Sequence, residues 1–553
     1  MKKLIAMMLA LVMTLSLCVA CGGGAGKKGN EAGGNVLQDV EGTVQLSIGL
    51  PTKATVLDYK NNDLTKWIEK EVDVELSFMP YSGGSDIGTQ IATTVAGQQP
   101  LPDILFGVSL GDDVYRSYGR DGYFQDLTPF FEDRDGASKV FWDRMEATFT
   151  QAEIDETLRK MKDPDTGKIF GVPTMDTTMI DIMDYQMWIN TEWLDYLKLD
   201  KPTDIDSLYK VLKAFKEGDP NQNGKADEIP LYGGQEAGLG GDVINWLVNM
   251  FLYFNDRKNF SLDEDGQIYA PFITEDYREA LKFINKLIDE GLMLDSVFNT
   301  KMTEMPMITT PASGTAIVGI FAGHLTIHAD YNSPVMLQYE SLPLWSCAVF
   351  NDNRFGMNNF ITADCENPAR AFELMMTLWS EEGSRRVRYG AYGVNWTDAD
   401  EGAVSDLGLP AEFKLLRDPL MEQNTCLWSG ASCTLCVWAE LESAQLDRAQ
   451  SDGEIAKQKM HAESYANYKA AADKYNPDAE RICPTLVLTE EEKEETEAQR
   501  TACSDYYKKC RTSFCTGEMD PYSDAAWNKY VDTLWDLGLQ DWLDVAQIAY
   551  DRY

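Results

Sequence analysis

Histidine is nearly absent: 553 residues contain three, His324, His328 and His461. Proton transfer near neutral pH leans on imidazole, and catalytic zinc centres lean on His or Cys clusters, so both chemistries are poorly provided for. Basic charge is also short, with 49 Lys and Arg against 89 Asp and Glu and a formal net charge of −40. A field of that sign repels phosphate polymers and argues against nucleic acid as a partner, while it attracts divalent cations. After the N-terminal segment there is no run of about 18 apolar residues, so no later membrane-spanning helix is expected. Internal repeats are missing, and with them any stalk-like or solenoid architecture. Three catalytic signatures are absent as well: Gly-x-Ser-x-Gly, His-Glu-x-x-His and a phosphate-cradling Gly-Lys-Ser/Thr loop. A glycoside hydrolase would need two positioned carboxylates, and no local motif marks such a pair. The chain is expected not to be an enzyme.

What is present begins with an export signal. Lys2 and Lys3 precede an apolar stretch from Leu4 to Leu17, too short to span a bilayer comfortably. Val19 and Ala20 then lead to Cys21, after which the chain turns polar. This resembles a bacterial lipobox, in which the Cys thiol is acylated and becomes the new N-terminus. Residues 1–21 are accordingly read as a lipoprotein signal peptide with Cys21 as the lipidation site. Cys18 departs from that pattern, which favours Leu three positions before the acylated Cys. The alternative is an ordinary cleaved signal with an incidental Cys. Residues 22–41 are rich in Gly and polar side chains and cannot bury a core, so they read as a flexible tether.

Eleven cysteines occur, nine of them after Cys21. An odd number outside the cytoplasm leaves at least one thiol free or paired between chains. Cys433-x-x-Cys436 lacks the second pair or histidines that zinc would need, so structural thiols or disulfides are expected.

The remaining chain is too long for one simple core, and two or more domains are expected. Val44–Leu50 alternates like a strand, Leu64–Lys70 reads as a helix, Val72–Phe78 as a second strand and Leu101–Phe106 as a short buried one. Thr203 caps a helix with apolar positions Ile205, Leu208, Val211, Leu212 and Phe215. Tyr277, Leu281, Ile284, Leu287 and Ile288 define another, closed by Gly291. Alternating elements of this kind imply an α/β fold with largely parallel sheets. The acidic stretch Glu490–Glu495 reads as a solvated face.

At this point the chain resembles the large lipoprotein subgroup of extracellular solute-binding proteins that serve ABC transporters, akin to alginate-oligosaccharide-binding proteins. The matching stretches are Leu101–Ile104, Gly167–Pro173, Asn190–Asp195, Asp219–Leu231, Asn367–Phe372, Ser380–Gly383 and Ala549–Tyr553. The resemblance implies a two-lobed, periplasmic-binding-protein-like α/β fold of type II, with a hinge between discontinuous lobes and ligand in the cleft. It places the N-terminal lobe at 42–180 and 352–430, and the C-terminal lobe at 181–351 and 431–553. Crossovers would fall near 174–186, 348–357 and 425–435. A membrane permease with its ATPase would be the partner, and the receptor itself a monomer.

Asp219-Pro-Asn-Gln-Asn-Gly-Lys-Ala-Asp-Glu228 is the sharpest chemical motif. Oxygen donors fall at Asp219, Asn221 and Asn223, Gly224 permits the tight turn, Lys225 offers its carbonyl, and Asp227 follows. Pro230 stands where a full EF-hand has a bidentate Glu; the resembled family completes the site with the residue matching Glu228. A structural Ca2+ is expected, the alternative being a polar turn that binds nothing. Aromatics are abundant, with 13 Trp, 25 Tyr and 22 Phe. Sugar rings stack their C–H faces on such side chains, so Trp188, Trp246, Trp345, Tyr392, Trp396, Trp428 and Trp438 are candidates to line a cleft, as a group rather than singly. Asp181 and Asp184, at the first crossover, are candidate hydroxyl acceptors. Gly107–Asp112 should reach the cleft rim at the C-terminal end of its strand. The expected ligand is a carbohydrate, in particular an oligosaccharide. A peptide or other non-sugar nutrient is the rival, and a surface glycoside-active enzyme comes third.

Overall fold

The computed structural model describes residues 37–82, 86–175, 182–350, 355–404, 410–417, 419, 422–428, 444–446, 452–478 and 481–552. The signal peptide, Cys21 and the tether up to residue 36 lie outside them, as do Asp181, Cys433, Cys436 and Trp438. No helix among the described residues is long and apolar enough to cross a membrane.

Four strands come first: β1 (Val44–Pro51), β2 (Val74–Tyr81), β3 (Ile104–Leu105) and β4 (Val172–Met175). Then follow β5 (Met187–Asn190), β6 (Ile229–Tyr232), the hairpin β7 (Ser261–Leu262) and β8 (Ile268–Tyr269), β9 (Val318–Ala322) and β10 (Tyr339–Ser341). The chain returns with β11 (Phe355–Ile361) and adds β12 (Trp396–Asp398), β13 (Phe413–Leu415) and β14 (Ala444–Leu446). The first large sheet has the order β2-β1-β3-β11-β4 and the second β10-β5-β9-β6. Each carries its own core. One buried cluster runs from Val44 to Met175 and resumes from Met357 to Trp428; the other runs from Met183 to Val349 and resumes from Met460 to Ala546.

The sheets are mixed rather than largely parallel. β1 pairs in parallel with β2 and β3, and β6 with β9, whereas β11, β4, β5 and β10 pair antiparallel. The antiparallel members are strands that enter or leave a lobe, and such strands need no helical crossover within one sheet. The third passage also differs from its expected place near 425–435. β14 still pairs with β13 on the first-lobe side, and the next element, the helix Asp452–Tyr475, packs on β10 of the second sheet.

Helices follow their sequence signals closely. Ile205–Glu217 buries Leu208, Val211, Leu212 and Phe215, although Asp204, not Thr203, is its cap, reciprocating with Ser207. The acidic stretch is the first turn of a 27-residue helix, Glu490–Thr516, capped by a Thr489–Glu492 box. Its start is held by the first lobe, with Arg120 reaching Asp163 at 2.8 Å and Glu490 at 2.6 Å, while Cys503, Cys510 and Cys515 sit in the second core.

The last part of the expected tether is not loose. Arg370, 8 % exposed at its side chain, donates to Asp39 at 2.6 Å and to the carbonyls of Val40, Val72 and Asp73. Residues 37–42 are therefore seated on the first lobe. All seven described cysteines after Cys21 (Cys347, Cys365, Cys426, Cys483, Cys503, Cys510, Cys515) are free thiols, and burial raises the pKa of each.

Candidate functional site

The two lobes are joined by adjacent, opposed passages. β4 ends at Met175, paired with Phe355, and on the far side Met183 forms an antiparallel bridge with Phe350. Asp184 stands at the second-lobe end of this junction, 2 % exposed. One carboxylate oxygen accepts from Asn245 and the other from the Arg257 guanidinium, while its backbone N–H donates to Val349 O at 3.1 Å. Burial raises its pKa, and Arg257 pulls it back. Tyr185 and Tyr468 donate their hydroxyls to Cys347 O and Val349 O, tying the return strand to the outgoing one. Asp184 thus organises the junction instead of offering a free acceptor to a ligand.

The seven aromatic candidates divide sharply. Trp188, Trp246 and Trp428 are fully buried and Trp396 nearly so, which leaves no open face for a sugar ring in this conformation. Trp188 donates to Gly323 O at 2.6 Å, and Trp428 donates to Thr65 Oγ1 at 2.8 Å. The physical reason is local: Trp188 sits inside β5, whose four residues are all buried, and Trp246 on a short helix buried along its whole length. Trp345 is half-buried, lies edge-on to Trp246 at 6.0 Å, and its Nε1 has no hydrogen-bond partner. Tyr392 is 44 % exposed, donates to Asp398 at 2.9 Å and packs on Trp396. Among the described candidates, these last two are the aromatics with accessible surface.

The C-terminal ends of β1 and β3 open onto a cavity of about 560 Å³ lined by Pro51, Gly107, Ser109, Leu110 and Ile87–Thr89. Gly107 makes the turn off β3 with φ +66°, and its N–H donates to Asn359 Oδ1 at 3.0 Å. Two more cavities flank the junction. One, of about 540 Å³, lies between the loop Asn255–Phe260 and the helix Glu490–Thr516; the other, of about 280 Å³, lies between Asp112–Arg116 and Phe355–Met357. Arg257, Lys493 and Arg500 line them, and nothing in the sequence singled these residues out. They are scattered over some 240 positions, and only the passage of the long helix between the lobes gathers them.

The chain's three histidines converge beyond β9. His324 lies 5.3 Å from His461, ring to ring, and its backbone N–H donates to His328 Nδ1 at 2.9 Å. Burial is the first cause lowering all three pKa values, His324 to about 4, with Lys457 adding repulsion at His324 and His461. A base whose folded pKa is depressed cannot accept the proton that the unfolded chain takes. Stability is therefore complete above about pH 6.5 and is lost as pH falls towards 4. We expect His324→Asn to recover roughly 2–3 kcal/mol of the stability that the native chain loses between pH 7 and pH 4, read from urea unfolding at both pH values. Equal losses in the two proteins would contradict this.

The acidic loop lies between the helix Ile205–Glu217 and β6. Gly224, at φ +72°, directs its N–H to the Asp219 carboxylate at 3.2 Å. Asn223 donates to Asp227 at 2.9 Å, and the Lys225 N–H donates to Asn223 Oδ1 at 2.8 Å. Glu228 Oε1 is buried with no hydrogen-bond partner, and burial followed by the Asp219 and Asp227 charges raises its pKa. Among the described residues no three His, Cys, Asp or Glu side chains are gathered as a metal cluster. The donor set is one of hard oxygens with an orphaned carboxylate oxygen, which fits Ca2+ rather than a softer ion.

Two α/β lobes joined by paired, opposed passages make the fold of the extracellular solute-binding proteins that serve ABC transporters. The solved structures of this architecture include an HMO-binding, ABC-transporter-associated solute-binding protein from Bifidobacterium longum infantis, with a TM-score of 0.73 at 18 % identity, spanning 92 % of this chain and 99 % of that one. Another is FusA of Streptococcus pneumoniae in complex with kestose, with a TM-score of 0.67 at 19 % identity and the same coverage. An EF-hand mutant of FusA in complex with fructo-nystose and the calcium-free form of the alginate-binding protein AlgQ2 share the fold, with TM-scores of 0.65 and 0.59 at 19 % identity, spanning 92 % and 93 % of this chain and 99 % of each of those. No family model matches the chain. By sequence it is similar to lipoprotein LipO of Bacillus subtilis, 29 % identical over 42 % of this chain, and to the fructooligosaccharide substrate-binding protein FusA, 38 % identical over 20 %. A third relative is the polygalacturonan/rhamnogalacturonan-binding protein YtcQ of B. subtilis, 29 % identical over 26 % of this chain. The matched segments span 40 %, 20 % and 28 % of those relatives' own lengths.

Proposed function

We propose that this chain is a non-catalytic receptor, lipid-anchored through Cys21 on the outer face of a membrane, that captures an oligosaccharide between its lobes and delivers it to an ABC transporter permease. The observation that carries this reading is similarity to a fructooligosaccharide-binding and a polygalacturonan-binding protein, joined to the two-lobed fold. The first lobe takes 42–180 and continues from 352 beyond 430, through β14; the second takes 181–351 and the chain from the helix Asp452–Tyr475 onward. Tyr392 and Trp345 are the aromatic contacts this proposal favours, with Trp438 as a further one and Asp181 as a hydroxyl acceptor. Asp219, Asn221, Asn223, Asp227 and Glu228 would hold a structural Ca2+ together with the Lys225 carbonyl. The ion would offset the mutual repulsion of three carboxylates and fix the turn ahead of β6. The receptor acts as a monomer.

A thermal-shift screen tests these points together. Among pools of neutral oligosaccharides, monosaccharides and peptides, an oligosaccharide should raise the melting temperature by several degrees without being consumed. A peptide hit alone would transfer the reading to a peptide receptor, and product formation would make the protein an enzyme. Millimolar calcium should raise the melting temperature over that in EDTA; coincident curves would remove the ion from the account.

A further inference from the structure

The two cavities beside the lobe junction share a wall made by Thr485, Leu486, Leu488 and Arg500. Six cationic side chains line them (Arg116, Lys160, Arg257, Lys258, Lys493 and Arg500) against three carboxylates, in a chain whose net charge is −40. An inverted local charge inside an acidic molecule focuses anions where the average surface would repel them. Four of the six are already answered. Arg116 lies 3.7 Å from Asp112 and Lys160 lies 3.1 Å from Glu156, while Arg257 pairs with Asp184 and Lys493 with Asp113.

Arg500 differs. It is half-buried on the shared wall, and among the described residues it has neither a carboxylate nor a hydrogen-bond partner. Thr501 and Ser504 follow it on the same helix and bring hydroxyls to the larger cavity, while Phe260 and Trp542 supply apolar surface. A guanidinium held in a shielded recess presents its donors as a planar fork matched to a carboxylate, and such a pair is stronger there than at open surface. The volume suits a ligand of small-molecule size, and the walls come from both lobes.

We propose that these joined cavities bind a carboxylate-bearing ligand, with Arg500 receiving the carboxylate in a two-pronged contact. Two sources share that chemistry: an acidic sugar residue within an oligosaccharide and a free polycarboxylate. The first deepens the reading of the protein as a saccharide receptor and rests on it. Because the ligand would touch both lobes, it would stabilise one relative orientation of them.

Calorimetric titration of the full chain in detergent with trigalacturonate, citrate and neutral maltotriose, repeated on Arg500→Gln, tests this. Trigalacturonate or citrate should bind the native protein, weaken with added salt, and lose at least about tenfold in affinity in the variant. Binding of both carboxylates at undiminished affinity by Arg500→Gln, or by neither protein, would overturn the proposal. Maltotriose binding without either carboxylate would overturn it and leave the saccharide reading standing. Citrate binding alone, lost in the variant, would support the carboxylate site and remove the saccharide. Should Arg500→Gln melt early, Arg500→Lys keeps the charge without the fork, and intermediate affinity is then the expected result.

Discussion

Arg257→Met is expected to destabilise the protein by about 2–3 kcal/mol at pH 8 and by much less at pH 4.5. The substitution removes the cation that neutralises Asp184, a carboxylate 2 % exposed at the lobe junction. Breaking a buried pair from one side commonly costs ~3–5 kcal/mol; the lower figure applies here because the Arg257 side chain is 45 % exposed and water screens its share. The pH dependence follows from the sign of the shift. Burial already raises the Asp184 pKa in the folded state, and without Arg257 it rises further. The folded protein then holds a proton that the unfolded chain releases near pH 4, so stability falls as pH climbs from that value towards the raised one. Urea midpoints at pH 4.5 and pH 8 measure it. Equal losses at both would show that Arg257 acts through packing, not charge.

Trp188→Ala should cost about 3–5 kcal/mol, the range for deleting a large buried aromatic. Its ring is completely buried beneath the turn that follows β9, and its Nε1 donates to Gly323 O, so truncation leaves both a void and an unpaired carbonyl. The control is Tyr392→Ala, which removes a 44 % exposed ring and should change stability by under about 1 kcal/mol. The pair separates two roles that an aromatic-rich sequence blends together. If Trp188→Ala left the unfolding midpoint in place and abolished saccharide binding, the buried position of its ring would not describe the ligand-bound protein.

Much of the fold was legible because periodicity and caps are local. The helices Ile205–Glu217 and Glu275–Asp289 bury the apolar positions their spacing marked except Ile205 and Ile288, which are half-buried, and Gly291, at φ +61°, follows the second. The opening strands were legible for the same reason. Sheet direction was not, because it depends on where the chain changes lobe, which no window of ten residues records. Glu490–Glu495 shows the same limit from the other side. A run dominated by one charge reads as a solvated face, yet Glu490 meets Arg120, Glu492 meets Arg552 at 2.9 Å and Lys493 meets Asp113, so three of its members join distant parts of the chain. The Trp candidates failed to separate because a ring that stacks on sugar and a ring that fills a core share composition and spacing. Burial of Trp188 and Trp428 involves partners 135 and 363 positions away. Arg500 carried no local signal; it stands out only because, among the described residues, neighbouring cations are paired and it is not.

The docking of residues 37–42 on Arg370 would make the two lobes unequal with respect to a membrane that holds the N-terminus. Were Cys21 lipidated as proposed, residues 22–36 would set a contour limit of roughly 50 Å between the bilayer and the first lobe. Under the proposed anchoring, only that lobe would be moored. A swing of the second lobe about the junction would have to break the contacts of Glu490 with Arg120 and of Lys493 with Asp113, and would change which surface faces a permease without paying out any more line.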